Sequence, residues 1–237
     1  MKSRYARVAL KISGEALLGK KSHGIDFEFL EGICKEIVEV KNKLSVKMVI
    51  TIGAGNIWRA RDKKDTGIDR VYSDIMGMLG TIMNAVAMQS MLEKLGSETR
   101  IASAIDIPQL AEPYIRRRVM RHLEKDRIVI MAGGTGNPYF TTDTAAALRA
   151  LELKCDVLLK ASNIDGVYNL DPKKSAKAKR FEKISFSDVL EKDLKFMDGS
   201  AVSLCRESKL PIIVFDLNKK GNILKSISTD GVGTLIS

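Results

Sequence analysis

The chain has 237 residues, and its 45% hydrophobic and 29% charged content describes a globular protein with a sizeable core, which excludes a disordered or fibrous chain. No apolar run approaches a membrane span, no signal-type segment follows Met1, and three scattered cysteines with two histidines exclude a disulfide framework and a zinc site. The net charge of +10 suits nucleic acid or a polyanionic small substrate.

The expectation is therefore a cytoplasmic protein with reduced thiols, no membrane partner and no protein-held metal. The basic runs at 116–121 and 173–180 do not interleave with aromatics, which make up 5% of the chain, so nucleic acid is the minority reading. The first run reads as the solvated face of a helix and the second as a loop.

Residues 5–13 read as a first strand that ends at Gly14. Lys11 then lies near the carboxyl end of that strand, where open α/β sheets bind ligands. The stretch from Gly14 through Gly19, Lys20 and Lys21 nearly has P-loop spacing. It puts Lys21 where a magnesium-binding hydroxyl is needed, and its apolar interior of Ala16, Leu17 and Leu18 suits a helix or a buried turn. A Walker-type loop is excluded. Asp26 caps a helix running to about Leu44, with Phe29, Leu30, Ile33, Ile37, Val40 and Leu44 along one face.

A second strand over 47–52 opens into Gly53-Ala54-Gly55-Asn56-Ile57-Trp58-Arg59. This turn lacks the third glycine of a dinucleotide fingerprint, which counts against a nicotinamide oxidoreductase. Arg59 can reach a phosphate as a bidentate donor. Residues 69–95 read as a buried helix rich in methionine and small residues. Its Asp74 is either an N-terminal charge favoured by the helix dipole or a functional acid. A third strand at 99–104, a helix at 112–125 and a strand at 127–131 follow.

The next segment, Gly133-Gly134-Thr135-Gly136-Asn137-Pro138-Tyr139-Phe140-Thr141-Thr142-Asp143, joins that strand to a helix over 144–154. Its glycines let backbone approach a ligand and point amide N–H groups one way. Its hydroxyls and amides at a helix N-terminus suit a phosphate, and its carboxylate suits a hydroxyl, an ammonium or a metal ion. An ordinary capped turn needs one such residue, and this segment carries many more. A strand over 155–160 ends in a second lysine, Lys160, followed by a turn-rich loop over 161–172. Residues 198–209 read as a helix, 211–217 as a strand, 221–228 as a short helix and 231–236 as a last strand.

The alternation predicts an α/β fold: a three-layer α/β/α sandwich with a largely parallel central sheet, compact over residues 1–237, with two halves meeting near 150. Lys11, two glycine turns, Arg59, the Thr-Thr-Asp cluster and Lys160 collect at strand ends. That set is rich in cations and N–H donors and holds no nucleophile elbow or histidine constellation. Phosphoryl transfer fits it, because that reaction needs positioning and positive charge more than covalent help.

These residues carry a family resemblance. The chain is similar over nearly its whole length to bacterial UMP kinases (uridylate kinases) of the amino-acid kinase superfamily. The likeness runs through Lys11 to Leu17, Gly53 to Arg59, Asp74 to Thr81, Gly134 to Asp143, Lys160 to Tyr168, Asp171-Pro172 and Met197-Asp198. The resemblance implies ATP-dependent phosphorylation of UMP to UDP with Mg²⁺, in a homohexamer, with GTP as activator and UTP as inhibitor. It implies a UMP-binding half over about 1–150 and an ATP-binding half over about 151–237. Lys11, Asp143 and Lys160 would be catalytic. Lys11, Ile12, Ser13, Gly14, Gly55, Arg59, Ser162, Asn163, Tyr168 and Asp171 would bind ATP. Ala54, Asp74, Thr135, Gly136, Asn137, Pro138, Tyr139, Phe140, Thr141 and Thr142 would bind UMP.

Two departures stand out. The family usually has three successive glycines where this chain has Gly53-Ala54-Gly55, and it often has threonine where Ser162 stands. The effector region would fall near Leu18 to Asp26, a segment that varies among members. Kinases of the same superfamily acting on glutamate, aspartate or carbamate are the nearest alternative. The Asp74 helix and the lack of an extra C-terminal regulatory domain count against them.

Overall fold

The chain is described from a computed structural model covering residues 3–59, 67–172, 174–228 and 232–237. Among these residues lie nine strands: β1 (Arg7–Ile12), β2 (Lys47–Ile52), β3 (Thr99–Ser103), β4 (Glu112–Pro113), β5 (Ile128–Ala132), β6 (Val157–Ser162), β7 (Lys183–Ile184), β8 (Ile212–Asp216) and β9 (Thr234–Ile236). Seven helices accompany them: α1 (Phe27–Leu44), α2 (Arg70–Lys94), α3 (Arg116–Glu124), α4 (Thr142–Glu152), α5 (Phe186–Glu191), α6 (Gly199–Glu207) and α7 (Asn222–Ser228). The strands form one sheet in the order β4-β3-β5-β2-β1-β6-β8-β9-β7. Only the β8–β9 pairing is antiparallel, so the expected largely parallel sheet is present.

Alternation along the central strands divides the core in two. Val8, Leu10 and Ile12 of β1, with Met48, Ile50 and Ile52 of β2, face α1, α2 and α7. Ala9, Val49, Val129 and Leu158 face α3, α4, α5 and α6. The sheet is therefore buried on both faces, which explains strands that read as continuous apolar runs. β1 pairs with β2 on one side and β6 on the other. The chain builds outward from β1 through β2, then crosses from β5 by way of α4 to β6 on the far side of β1. That reversal marks β1 as the topological switch point, where the strands' carboxyl ends open a crevice.

Several boundaries differ from the sequence reading. The helix expected over 112–125 starts at Arg116, because Glu112–Pro113 instead pairs with Ala102 and Ser103 as an edge strand. Proline has no N–H to give a ladder, so an edge position suits it. The helix expected from 144 begins at Thr142, capped by Thr141. Residues 183–191, which carry no regular pattern, form β7 and α5. Gly14–Leu18 forms a short 3-10 helix, in keeping with its apolar interior. Asp26 caps α1, accepting the N–H groups of Glu28 and Phe29. Gly231 and Lys173, placed by sequence in the last strand and the basic loop, lie outside the described residues.

The sequence shows no obvious membrane span, yet α2 is long and apolar enough to cross one by length and composition. It lies across the sheet with Ile82, Ala85, Met88 and Leu92 in the core, the setting of a core helix. A second α2 face stays exposed through Tyr72, Met76, Leu79, Met83 and Val86. On α3, Arg116, Arg117, Arg118 and Arg121 are exposed while Val119 and Leu123 are buried. This matches the expected solvated face.

Candidate active site

The site assembles around β1 and β6. Their register puts Lys11 beside Lys160, and both side chains point to the α4 face of the sheet because alternate residues share a face. Asp143 sits in the first turn of α4, between them. Its carboxylate meets Lys11 Nζ at 2.7 Å through Oδ1 and Lys160 Nζ at 2.5 Å through Oδ2. All three side chains are nearly buried, at 10%, 14% and 10% exposure for Lys11, Asp143 and Lys160.

Burial raises the Asp143 pKa, but the two ammoniums outweigh it and hold the acid at about 2. Lys160 is pushed the other way. Burial, then the Lys11 charge, lower its pKa to about 8 despite the opposing pull of Asp143. A lysine so depressed, buried at a strand end beside a second ammonium, is a candidate functional group.

Two cavities open on either side of Lys11. The first, about 650 Å³, is lined by Lys11, Ser13 and Gly14, by Ala54 and Gly55, by Asp74 of α2, and by Asn137, Phe140, Thr141, Thr142 and Asp143. The second, about 670 Å³, is lined by Lys11, Ser13, Lys160, Ser162, Asn163, Tyr168 and Asp171. Lys11, Ser13, Glu15 and residues 193–196 border both. Of the residues expected to bind ATP, Ser162, Asn163, Tyr168 and Asp171 line the second cavity with Lys11 and Ser13, whereas Gly14 and Gly55 line the first, because their turns pack together on the β2 side of Lys11.

Local architecture fixes the first chamber. A Cβ on Gly14 would lie 2.4 Å from the Gly55 nitrogen and 2.6 Å from the Gly53 oxygen, so the two turns touch backbone to backbone. Asn84 of α2 donates to the Gly53 carbonyl at 2.8 Å and exchanges amide hydrogen bonds with Asn56. Both asparagines are buried, so this reciprocal pair satisfies groups that would otherwise be costly to bury. Asp74 accepts the Tyr139 N–H and the Arg70 Nε–H, each at 2.8 Å. It ties α2 to the glycine-rich loop, beyond any dipole role.

Two of the amides of that loop are engaged within the fold, while Gly134, Asn137 and Phe140 line the first cavity. The Gly133 N–H donates to Thr81 Oγ1 and the Gly136 N–H to the Gly133 carbonyl. These amides hold the loop's own shape and do not aim at a ligand. Gly133 has φ +73, and a Cβ there would meet the Ile105 nitrogen at 2.9 Å. Thr141 Oγ1 caps α4 and donates to Asp198, which also accepts from Thr144 Oγ1 and caps α6.

Other expected site residues stand at the margins. The Ile12 side chain is fully buried in the opposite core layer, and its carbonyl accepts the Gly53 N–H. Arg59 bonds the Gly55 carbonyl and Glu15, outside both linings. Thr135, Gly136, Pro138 and Tyr139 share the loop without lining the first cavity. Tyr139 is exposed, with the Arg70 guanidinium over its ring.

Sequence reading missed Glu15 and residues 193–196 as part of the shared wall, and Thr144 as a partner of Asp198. Nothing in their spacing signals it, since the tertiary fold alone brings them there. Among the described residues no cluster of three His, Cys, Asp or Glu side chains could cage a metal. The carboxylate nearest the cations, Asp143, is engaged by two lysines.

The sequence profile of the amino acid kinase family matches residues 6–216. The chain is 50% identical to the uridylate kinase of Paramagnetospirillum magneticum, over 99% of this chain and 98% of that one. Its structure is similar to the UMP kinase of Bacillus anthracis, with TM-score 0.95 and 37% identity over 98% and 96% of the two chains. The UMP kinase of Ureaplasma parvum gives TM-score 0.91 and 35% identity, over 99% of each chain. With a matching profile, full-length relatives and a doubly charged strand-end crevice, this chain belongs to the amino acid kinase family, within its uridylate kinase group.

Proposed function

We propose that this protein transfers the γ-phosphoryl group of ATP directly to UMP, giving UDP and ADP. The observation that carries the reading is the Lys11–Asp143–Lys160 triad on the wall shared by two cavities. UMP occupies the first chamber, drawn mainly from the half over about 1–150, and ATP the second, drawn mainly from the half over about 151–237, with residues 193–196 closing the first and Lys11, Ser13 and Glu15 closing the second.

A phosphate-monoester oxygen of UMP is already largely ionised at neutral pH, since its second pKa is about 6. No general base is needed. That oxygen forms a bond to the γ-phosphorus as the β,γ-bridging P–O bond breaks, and the electron pair leaves on ADP. Lys11 and Lys160 face the charge gathering on the transferring group, and Asp143 holds both ammoniums in place before substrates arrive. Mg²⁺ would arrive with the nucleotide and would offset phosphate charge when bound; Glu15 and Asp193 are the carboxylates bordering both chambers that could face it.

A homohexamer belongs to the same reading and is supported by the exposed apolar stripe on α2. Light scattering should return six times the mass of one chain. Activation by GTP and inhibition by UTP are part of it as well, read as changes of rate at subsaturating UMP. The buried free thiols of Cys34, Cys155 and Cys205 support a reducing cytoplasm.

ADP release from Mg²⁺-ATP, measured against UMP, CMP, dUMP, glutamate and aspartate, tests the assignment. Turnover with UMP well above the rest is expected. Turnover with an amino acid instead would overturn the acceptor.

A further inference from the structure

We infer that Gly80 of α2 and Ala54 of the glycine turn form a complementary pair that sets the position of the acceptor chamber's wall. Gly80 is a positioning residue, which acts on the site through Ala54. The inference rests on the acceptor reading above for its kinetic arm only.

Ala54 carries a methyl group between Gly53 and Gly55, and that methyl must find room. It is 7% exposed and lines the first cavity but not the second. The room comes from Gly80. A Cβ on Gly80 would lie 2.9 Å from Ala54 Cβ and 3.5 Å from Ile57 Cβ. Two carbon atoms cannot approach that closely without displacement, and neither group is the flexible end of a long side chain. The helix does not need glycine here for conformation, because Gly80 sits inside α2 without a positive φ. Glycine in a helix interior costs about 1 kcal/mol relative to alanine. Space for Ala54 accounts for that cost.

The turn has nowhere to retreat. Trp58 Nε1 donates to Ser73 of α2 at 3.0 Å, on one side of Gly80, and Asn84 holds the Gly53 carbonyl on the other. The backbone of Gly53 and Gly55 already touches Gly14. Pinned to the helix on both sides of the contact and stopped by Gly14 behind, the turn can yield only by shifting its wall of the first chamber. Lys11 lies three residues before Gly14, so the shift is delivered beside the transfer point.

The test is a double-mutant cycle on the full-length protein. Gly80→Ala in the wild-type background should lower kcat/KM for UMP about tenfold, because small misplacements at a reacting centre are costly. It should raise KM for UMP and leave KM for ATP within about twofold. In an Ala54→Gly background the same Gly80→Ala change should cost less than about twofold, since the second methyl is gone. Thermal melting of all four proteins gives an arm independent of any substrate. Gly80→Ala should lower Tm in the wild-type background and raise it in the Ala54→Gly background, where only helix propensity acts. An equal Gly80→Ala effect in both backgrounds, in kinetics and in Tm, would overturn the pairing. Coupling in Tm with both KM values unchanged would overturn its role in the chamber. If wild-type protein fails to use UMP, the acceptor reading falls while the Tm cycle still decides the pair.

Discussion

Lys160 carries the most informative charge in the molecule. Burial and its neighbour Lys11 hold its pKa near 8, so the free enzyme loses this proton just above neutrality. Rate and stability should then move in opposite directions. Between pH 8 and its unfolded value near 10.5, the unfolded chain binds the proton and the folded chain does not, so this group's contribution to stability rises with pH. Activity should instead fall, because a neutral amine no longer offsets charge on the transferring group. We expect kcat/KM for ATP to decline through an apparent pKa near 8 while the fold remains intact. Lys160→Arg, whose guanidinium stays charged, should lower the rate and carry that alkaline limb away. An unchanged limb in the arginine variant would assign it to another group. Asp143, held near 2, stays ionised throughout this range.

Lys11 and Lys160 were legible because each ends an apolar strand beside a turn, and strand ends are where such sheets bind ligands. The Ile12 side chain turns away from the cavities, since neighbours in a strand point to opposite faces and only Lys11 turns toward α4. Thr141 illustrates a similar limit. A sequence reveals a hydroxyl at a helix start, and the fold decides that this one is taken up as a cap and by Asp198.

At the level of elements, the α4–α6 contact positions Asp143. Asp198 accepts hydrogen bonds from Thr141 Oγ1, Thr144 Oγ1 and the Ala201 N–H. One carboxylate therefore joins the first turns of two helices. Asp198→Ala should cost about 3 kcal/mol in urea unfolding, combining a lost cap with bonds to a charged acceptor. Asp198→Asn keeps an acceptor and should cost about 1 kcal/mol. A wild-type midpoint for the alanine variant would contradict the tie.

The long helices and central strands were readable from periodicity and, before α1, from the Asp26 cap; the Asp69 cap of α2 emerged only with the fold. The short pieces were not. β4 and β7 each have two residues, too few for a pattern, and exist because a neighbouring strand offers an edge.

At the scale of the molecule, one reversal of strand order sets the chemistry. β1 lies between β2 and β6, and the crossover through α4 brings Asp143 over the gap. The first chamber draws mainly on residues before the crossover and on the α5–α6 region, and the second mainly on residues after it. The parallel sheet was legible from βα alternation. The shared wall was not, because Glu15 and residues 193–196 meet Lys11 only after the sheet has closed.

The central claim is that the phosphoryl group passes straight from one chamber to the other. Its most direct test is the stereochemistry at phosphorus, using ATP made chiral at the γ position with sulfur and oxygen isotopes and UMP as acceptor. A single displacement between the two nucleotides predicts inversion of configuration. Retention would mean two displacements through a covalent phosphoenzyme, and would contradict a site in which Asp143 serves only to hold the two lysines.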